Sequence, residues 1–180
     1  MLSSHSQVIE QSIDLLQGLS RAEYQQVCQP LFSASIGQHM RHIIDHFDSL
    51  KRGIASTTVD YNNRSRRSET ETCLATAVRH LQEVKTWLLT LSHEQLSLAL
   101  NVMPEVAVHQ HQHQHQHGAQ EVSQPLPVAS TLARELMFCV SHAIHHYALV
   151  NIIRQLQGAQ VDVNFGVAPA TIAYQKSLQN

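Results

Sequence analysis

Apolar side chains recur at helical spacing in four long segments of the chain. The second segment is the clearest, because its apolar residues follow one another at intervals of three or four positions, as on the buried face of an amphipathic helix. That stripe consists of Ile36, Met40, Ile43, Phe47 and Leu50. The same periodicity predicts helices over about residues 4–18, 35–52, 68–91 and 130–158. Four long helices favour a four-helix bundle.

Residues that begin and end helices set the expected boundaries. Ser33 or Ser35 can cap the second helix through a side-chain oxygen, and Gly53 is expected to end it. Ser68 and Glu71 have the spacing of a capping box. That spacing predicts that the third helix begins directly after Ser68.

The hydrophobic period changes from helical to alternating after the third helix. Leu96, Leu98, Leu100 and Val102 alternate with polar or small residues, as in a half-buried strand. A short β-hairpin or extended excursion is therefore expected between the third and fourth helices. The predicted fold class is all-α, a four-helix bundle with this excursion. It forms one domain over residues 1–180, because domains usually hold about 100–200 residues.

Composition and charge narrow the function classes. Hydrophobic residues make up 43% of the chain, which is enough for a core. The net charge of −2, without a basic stripe, argues against nucleic-acid binding. The three cysteines lie far apart, which argues against a disulfide scaffold or a thiolate zinc site. The start of the chain lacks the pattern of a signal peptide and no long apolar run is seen, so we expect a cytoplasmic protein without a membrane span.

Histidine is unusually frequent, with 14 residues against 14 for Asp and Glu together. Because histidine is the commonest metal ligand, this count raises the question of a metal site. His142 and His146 lie one turn apart on one face of the last predicted helix, so two imidazoles can reach one ion. Leu149 and Ile153 continue that face towards the core. His145 lies about 60° off this line and is expected to support a site rather than to ligate.

The second predicted helix carries His39, His42 and His46 on one flank of its apolar stripe. One of these with the pair on the last helix would give three imidazoles and an open coordination position, as in catalytic zinc sites. The alternative is that the histidines are boundary residues that hydrogen-bond neighbouring helices. The helical wheel places His39 and His46 nearer the core than His42, so periodicity alone leaves the ligand from this helix open.

The sequence SIGQHMRHIIDH from Ser35 to His46, together with HAIHH at 142–146, resembles the DinB/YfiT-like metalloproteins. These are four-helix bundles with a three-histidine metal site. In their pattern the second-helix ligand follows a Ser/Thr–apolar pair by six or seven positions and precedes an acidic residue by three, as His42 and Asp45 do. The resemblance extends from about residue 4 to residue 158. It implies that the metal ligands are His42, His142 and His146.

The resemblance also implies a function. The family includes thiol-dependent S-transferases and a maleylpyruvate isomerase that uses a low-molecular-weight thiol. We therefore expect a divalent-metal-dependent thiol transferase, or a related hydrolase or isomerase, with a thiol cosubstrate and a small electrophile as substrate. The metal (Zn, Ni, Fe or Mn) and the substrate stay open. The alternative is a non-catalytic module that binds a metal or a small ligand, and either protein could pair into a homodimer through a helix face.

Further residues are candidates for the substrate side of the site. Glu135 lies two turns before the last-helix pair, where it could orient a ligand or act as a base. Asp45 could hydrogen-bond a ligand imidazole. The competing interpretation of both is a solvated carboxylate on a helix. In the polar loop predicted at 54–67, Tyr61 and Arg64 could contact substrate, since arginines bind carboxylates through two hydrogen bonds.

Five histidines alternate with glutamine over residues 109–117. One interpretation is an arm that scavenges metal ions. The other is a repeat expansion tolerated at an exposed tip. The prediction of a core metal site therefore depends on the histidines of the two helices and not on the total count.

Overall fold

In the part of the chain that the structure describes, helices dominate and three short strands accompany them. The computed structural model describes residues 1–63, 68–104 and 126–178. The helices are α1 (Leu2–Gln17), α2 (Arg21–Gln25), α3 (Ile36–Ser56), α4 (Leu74–Thr90), α5 (Leu132–Leu156) and α6 (Pro169–Ser177). The strands are β1 (Thr58–Asp60), β2 (Ala99–Met103) and β3 (Val128–Thr131). The predicted helical character is confirmed, and the histidine–glutamine tract at 109–117 lies outside the described residues.

The four long helices pack around a hydrophobic core. Helix α1 contacts α4 and α5, and α3 contacts the same two helices, so each long helix has two long neighbours. Their inward faces bury large side chains almost completely, among them Ile9, Phe47, Leu81 and Tyr147. This packing sets α3 directly against α5, the two helices that carry the candidate histidines.

The strands form one small sheet in the order β1-β2-β3. Strand β2 pairs antiparallel with β3, with Leu100 opposite Ser130, which confirms the expected excursion before the last long helix. Strand β2 also pairs parallel with β1, with Val59 opposite Val102. Strand β1 lies in the segment predicted as a loop. The sheet brings the chain just after β1, including Tyr61, close to the start of α5.

Helix α3 begins as predicted but ends later. Ser35 caps it, since the Gln38 backbone N–H donates to Ser35 Oγ at 3.3 Å and the Gln38 side chain accepts from the Ser35 N–H at 2.9 Å. The prediction that Gly53 ends the helix is wrong. The helix continues to Ser56, and Thr57, with a left-handed φ of 54°, is its C-cap residue. Glycine is needed at position 53 because a Cβ would lie 2.7 Å from Val59 Cγ2, where β1 packs on the helix.

The start of α4 differs from the prediction. Ser68 makes no side-chain cap, and Glu69–Glu71 forms a separate turn of 3-10 helix before α4 begins at Leu74. The reason is a tertiary contact, since Thr70 is buried and its carbonyl accepts a 2.6 Å hydrogen bond from the Tyr24 hydroxyl. This contact fixes the segment in place of a continuous helix.

Helix α5 is long and apolar enough to cross a membrane by length and composition alone. The core helix of a soluble protein passes the same test. Here α5 buries Leu136, Val140, Val150 and Ile153 against the other helices. The expectation that the chain has no membrane span stays a prediction.

Candidate metal centre

Four histidine rings meet where α3 packs against α5. Ring nitrogens of His42, His46 and His142 all lie within 4.8 Å of one another. The ring of His146 joins them, with its centroid 4.6 Å from those of both His42 and His142. The structure thus brings together the three residues predicted as ligands and adds His46 to the group.

Two short contacts link the Nε2 atoms of three of these rings. His142 Nε2 lies 2.9 Å from His42 Nε2 and 3.1 Å from His146 Nε2. A neutral imidazole nitrogen carries either one hydrogen or one lone pair in the ring plane, so one Nε2 atom cannot form two linear hydrogen bonds. Tetrahedral zinc with Zn–N distances of about 2.0–2.1 Å places its ligand nitrogens about 3.3 Å apart. His142 Nε2 therefore cannot be bonded linearly to both neighbours, and the clustered imidazole nitrogens are donors of the kind that bind divalent metal ions.

His46 is held in a defined tautomer by its own helix. Its Nδ1 lies 2.8 Å from the carbonyl oxygen of His42, one turn earlier. Because a carbonyl oxygen only accepts, His46 Nδ1 must donate, and Nε2 carries the lone pair when the ring is neutral. The ring also stacks on Tyr61, with centroids 5.3 Å apart and an interplanar angle of 20°. His46 is therefore oriented with its potential ligand atom defined.

His39 contacts the cluster through His146. The two Nδ1 atoms lie 2.9 Å apart, a distance that requires one of them to donate to the other. When His146 Nε2 is the ligand atom, His146 Nδ1–H is the donor and His39 the acceptor, and metal-bound histidines usually have such a partner. His39 is 8% exposed, and its Nε2 is buried with no hydrogen-bond partner. It is placed to orient His146 rather than to bind a metal itself.

The environment keeps key rings of the cluster neutral. Burial lowers the pKa of His146 to about 2, with further lowering from the neighbouring histidines, His142 first. Burial likewise lowers the pKa of His39. Neutral imidazole is the form that binds metal, so His146 does not need to lose a proton near pH 7 before binding.

Two of the predicted supporting residues lie beside the cluster without bonding to it. His145 is exposed, and its ring centroid is 5.3 Å from that of His146. Asp45 accepts a 2.6 Å hydrogen bond from Arg41 Nη1 one turn earlier. The expected bond from a ligand histidine to Asp45 is not found among the described residues. The Asp45 carboxylate is paired with Arg41 instead.

Glu135 lies behind the cluster and reaches it through Tyr61. Its carboxylate accepts hydrogen bonds from the Tyr61 hydroxyl at 2.9 Å and from Ser130 Oγ at 2.5 Å. The Tyr61 hydroxyl also lies 3.6 Å from Cys139 Sγ, and burial raises the pKa of that thiol to about 12. Cys139 is 1% exposed and stays protonated, as a core residue. Among the described residues, the hydrogen bonds of the Glu135 carboxylate go to Tyr61 and Ser130, so its expected role as an orienting residue or base stays a prediction.

Sequence reasoning gave too little weight to His46 and missed Ser130. His46 follows His42 by four positions, the same spacing as His142 and His146, and that spacing is a signal for a shared face. The bond from Ser130 had no comparable signal, because it depends on the junction between β3 and α5. Arg64 lies outside the described residues.

Comparison with known proteins adds little to this picture. The chain is 45% identical over 47 residues to FK506-binding protein 5 of Rhizopus delemar. The match covers 26% of this chain and 12% of that protein, so the chain spans only a small part of the relative's length. No family model and no solved structure matches the chain. The functional argument therefore depends on the geometry of the histidine cluster.

Proposed function

We propose that the protein binds a divalent metal ion through Nε2 of His42, His142 and His146, and that it is a metal-dependent enzyme acting on a small electrophile. The observation that carries the proposal is the pair of short contacts that His142 Nε2 makes, 2.9 Å to His42 Nε2 and 3.1 Å to His146 Nε2. Three histidine ligands leave one tetrahedral position for a water molecule, a thiol or a substrate. The ring of four long helices is a helical bundle, and the DinB-like assignment rests on the sequence resemblance alone.

The surrounding residues have separate roles in this proposal. His39 orients His146 through the contact between their Nδ1 atoms. Tyr61 packs flat on His46 and is itself held by Glu135, so the wall of the site is fixed. A divalent ion supplies positive charge that lowers the pKa of a bound thiol or water molecule and makes it a nucleophile at neutral pH. The thiol cosubstrate itself rests on the family resemblance of residues 35–46 and 142–146.

A second candidate function is a non-catalytic metal-binding module. It is favoured by His46, whose Nε2 bears the lone pair and whose ring centroid lies 4.2 Å from that of His142. A fourth histidine ligand would close the coordination sphere, as in structural zinc sites. The two functions therefore differ in whether His46 binds the ion.

Metal analysis of the full chain tests the proposal. The five tract histidines are first replaced by glutamine, so that the length is kept and adventitious binding there is removed. We expect one zinc ion per chain after equilibration and gel filtration, and loss of that ion on the further change His142→Gln. Zinc that persists in the His142→Gln variant, or that disappears with the tract changes alone, would contradict a core site.

An activity screen then separates the two functions. Zinc-loaded protein is incubated with cysteine or glutathione and a small aryl halide, and thioether formation is measured against the His142→Gln variant. Turnover that requires His142 supports the enzyme. A protein that holds zinc and shows no turnover, and whose affinity for zinc falls on His46→Gln, supports the closed binding module.

A further inference from the structure

A cavity of about 310 Å³ lies beside the histidine cluster, at the end of β2 and the start of α5. Its apolar wall is the segment 102–104 together with Phe138. Tyr61, Arg134 and Glu135 supply its polar groups. The volume is at the lower end of the range of about 300–1,000 Å³ that small-molecule sites occupy.

The cavity and the cluster share two aromatic walls. The Tyr61 ring stacks on His46, with centroids 5.3 Å apart. The Phe138 ring stacks on His142, with centroids 5.8 Å apart and an interplanar angle of 22°. A molecule in the cavity would therefore lie one ring away from the cluster.

Arg134 is the cation that lines the cavity, and its guanidinium makes no ion pair with the described residues. By contrast, Arg41, Arg79 and Arg154 each pair with a carboxylate. Arg134 is also exposed, so it can reach a ligand without displacing a partner. Its guanidinium offers two parallel N–H groups, which match the two oxygens of a carboxylate.

The neighbouring Glu135 carboxylate is directed away from solvent. It is 6% exposed, and both of its oxygens accept hydroxyl hydrogen bonds, from Tyr61 and Ser130. Its negative charge opposes the binding of an anion nearby. The hydroxyl bonds hold that charge at the buried side of the cavity, while Arg134 lies on the exposed side.

We propose that this cavity binds small molecules with an apolar body and one carboxylate, which Arg134 holds through its guanidinium. The apolar body lies against Phe138 and the end of β2. That such a molecule is the substrate rests on the proposed function, but the binding itself does not. Arg134 would thus take the role that the sequence suggested for the arginines of the loop around Arg64.

The test compares phenylacetate with its neutral isostere phenylacetamide. Both are titrated into metal-free, full-length ¹⁵N-labelled protein, because a carboxylate would also bind a metal ion directly. Amide shifts of Met103, Glu135 and Phe138 report the site. We expect phenylacetate to bind at least about tenfold more tightly than phenylacetamide, as a charged hydrogen bond provides. In Arg134→Gln the ratio of the phenylacetate affinity to the phenylacetamide affinity should fall to about one.

Two further variants sharpen the result. Arg79→Gln removes the same charge from the exposed face of α4, where Arg79 pairs with Glu83, and should leave the ratio unchanged. Glu135→Gln removes the opposing charge and should raise it. A ratio near one in the unchanged protein, or a preference that survives Arg134→Gln, overturns the proposal.

Failure of this inference is separable from failure of the metal site. Loss of the carboxylate preference with intact zinc binding would overturn only the role of Arg134. Conversely, a preference that persists when no zinc binds would leave the carboxylate site standing and remove the metal centre.

Discussion

The Nε2 atoms of His42 and His142 lie 2.9 Å apart across the contact between α3 and α5. The two residues are 100 positions apart in the chain. Only the packing of the two helices brings them together. A ligand that binds both residues therefore links the two helices, so its binding should increase the resistance of the protein to unfolding.

Zinc is expected to raise the stability of the protein through this cluster. A ligand that binds only the folded state stabilises it by about 2.7 kcal/mol when its free concentration is 100 times Kd. Thermal unfolding of the tract-substituted protein, followed with and without zinc, should show the increase. The His142→Gln variant should show none. His93→Gln changes an exposed histidine and serves as the control, which must respond to zinc like the parent.

His39 should act on zinc affinity without being a ligand. Partners that orient a metal-bound histidine typically contribute 10–100-fold to affinity. We expect His39→Phe to weaken zinc binding by a factor in that range while one ion per chain is still bound. His42→Gln should abolish stoichiometric binding. Competition with a chromophoric chelator measures both. Equal losses in the two variants would make His39 a ligand, and an unchanged affinity in His39→Phe would remove its orienting role.

The sequence predicted the parts of the fold that neighbouring residues encode. The stripe of apolar residues in α3 and the cap at Ser35 are both local, and both are confirmed. Strand β1 was missed because its three residues lie in a polar stretch and gain their partners only from β2. The cap at Ser68 was wrong for a similar reason, since the Tyr24 hydroxyl holds Thr70 from a distant helix.

The candidate site also has a part that local sequence predicts and a part that only the structure shows. Spacing along one helix identified the pair on α5, since histidines one turn apart share a face, and it placed His39, His42 and His46 on one flank of α3 without choosing among them. Which rings meet across the interface depends on the rotation of one helix against the other, and sequence periodicity does not give that rotation. The bond between Tyr61 and Glu135 joins residues 74 positions apart, so it too required the structure.

Gly37 should be intolerant of a side chain. A Cβ at this position would lie 2.1 Å from the Glu71 carbonyl oxygen and 2.9 Å from Tyr24 Cε1, so backbone would have to move. Overpacking of this kind costs about 1–3 kcal/mol. We expect Gly37→Ala to lower the free energy of unfolding, measured in urea, by at least about 1 kcal/mol.

Gly18 provides the matched control for this substitution. Its φ of −90° is open to any residue, and the nearest contact of an added Cβ is 3.6 Å. Gly18→Ala should therefore be neutral or stabilise by up to about 1 kcal/mol. Similar losses in the two variants would show that the close approach at Gly37 does not determine the result.

Burial of His5 should make the folded protein sensitive to acid. Burial, with the positive N-terminus as the second cause, lowers the pKa of His5 below its ordinary value of 6.5. In the unfolded chain His5 takes up a proton as the pH falls through about 6.5, while the folded form takes one up only at a lower pH. Above about pH 6.5 the free energy of unfolding is therefore at its full value as far as His5 is concerned. Below that pH the free energy of unfolding declines by up to about 1.4 kcal/mol per pH unit because of His5.

The change His5→Leu isolates this effect. Leucine removes the titration and also removes Nδ1, which is buried without a hydrogen-bond partner. The free energy of unfolding of metal-free His5→Leu, minus that of the parent, should therefore increase as the pH falls from 7.5 to 5. His93→Gln serves as the matched control, because it replaces a histidine whose side chain is exposed to solvent. A pH-independent difference for His5→Leu would show that His5 titrates alike in the folded and unfolded chains.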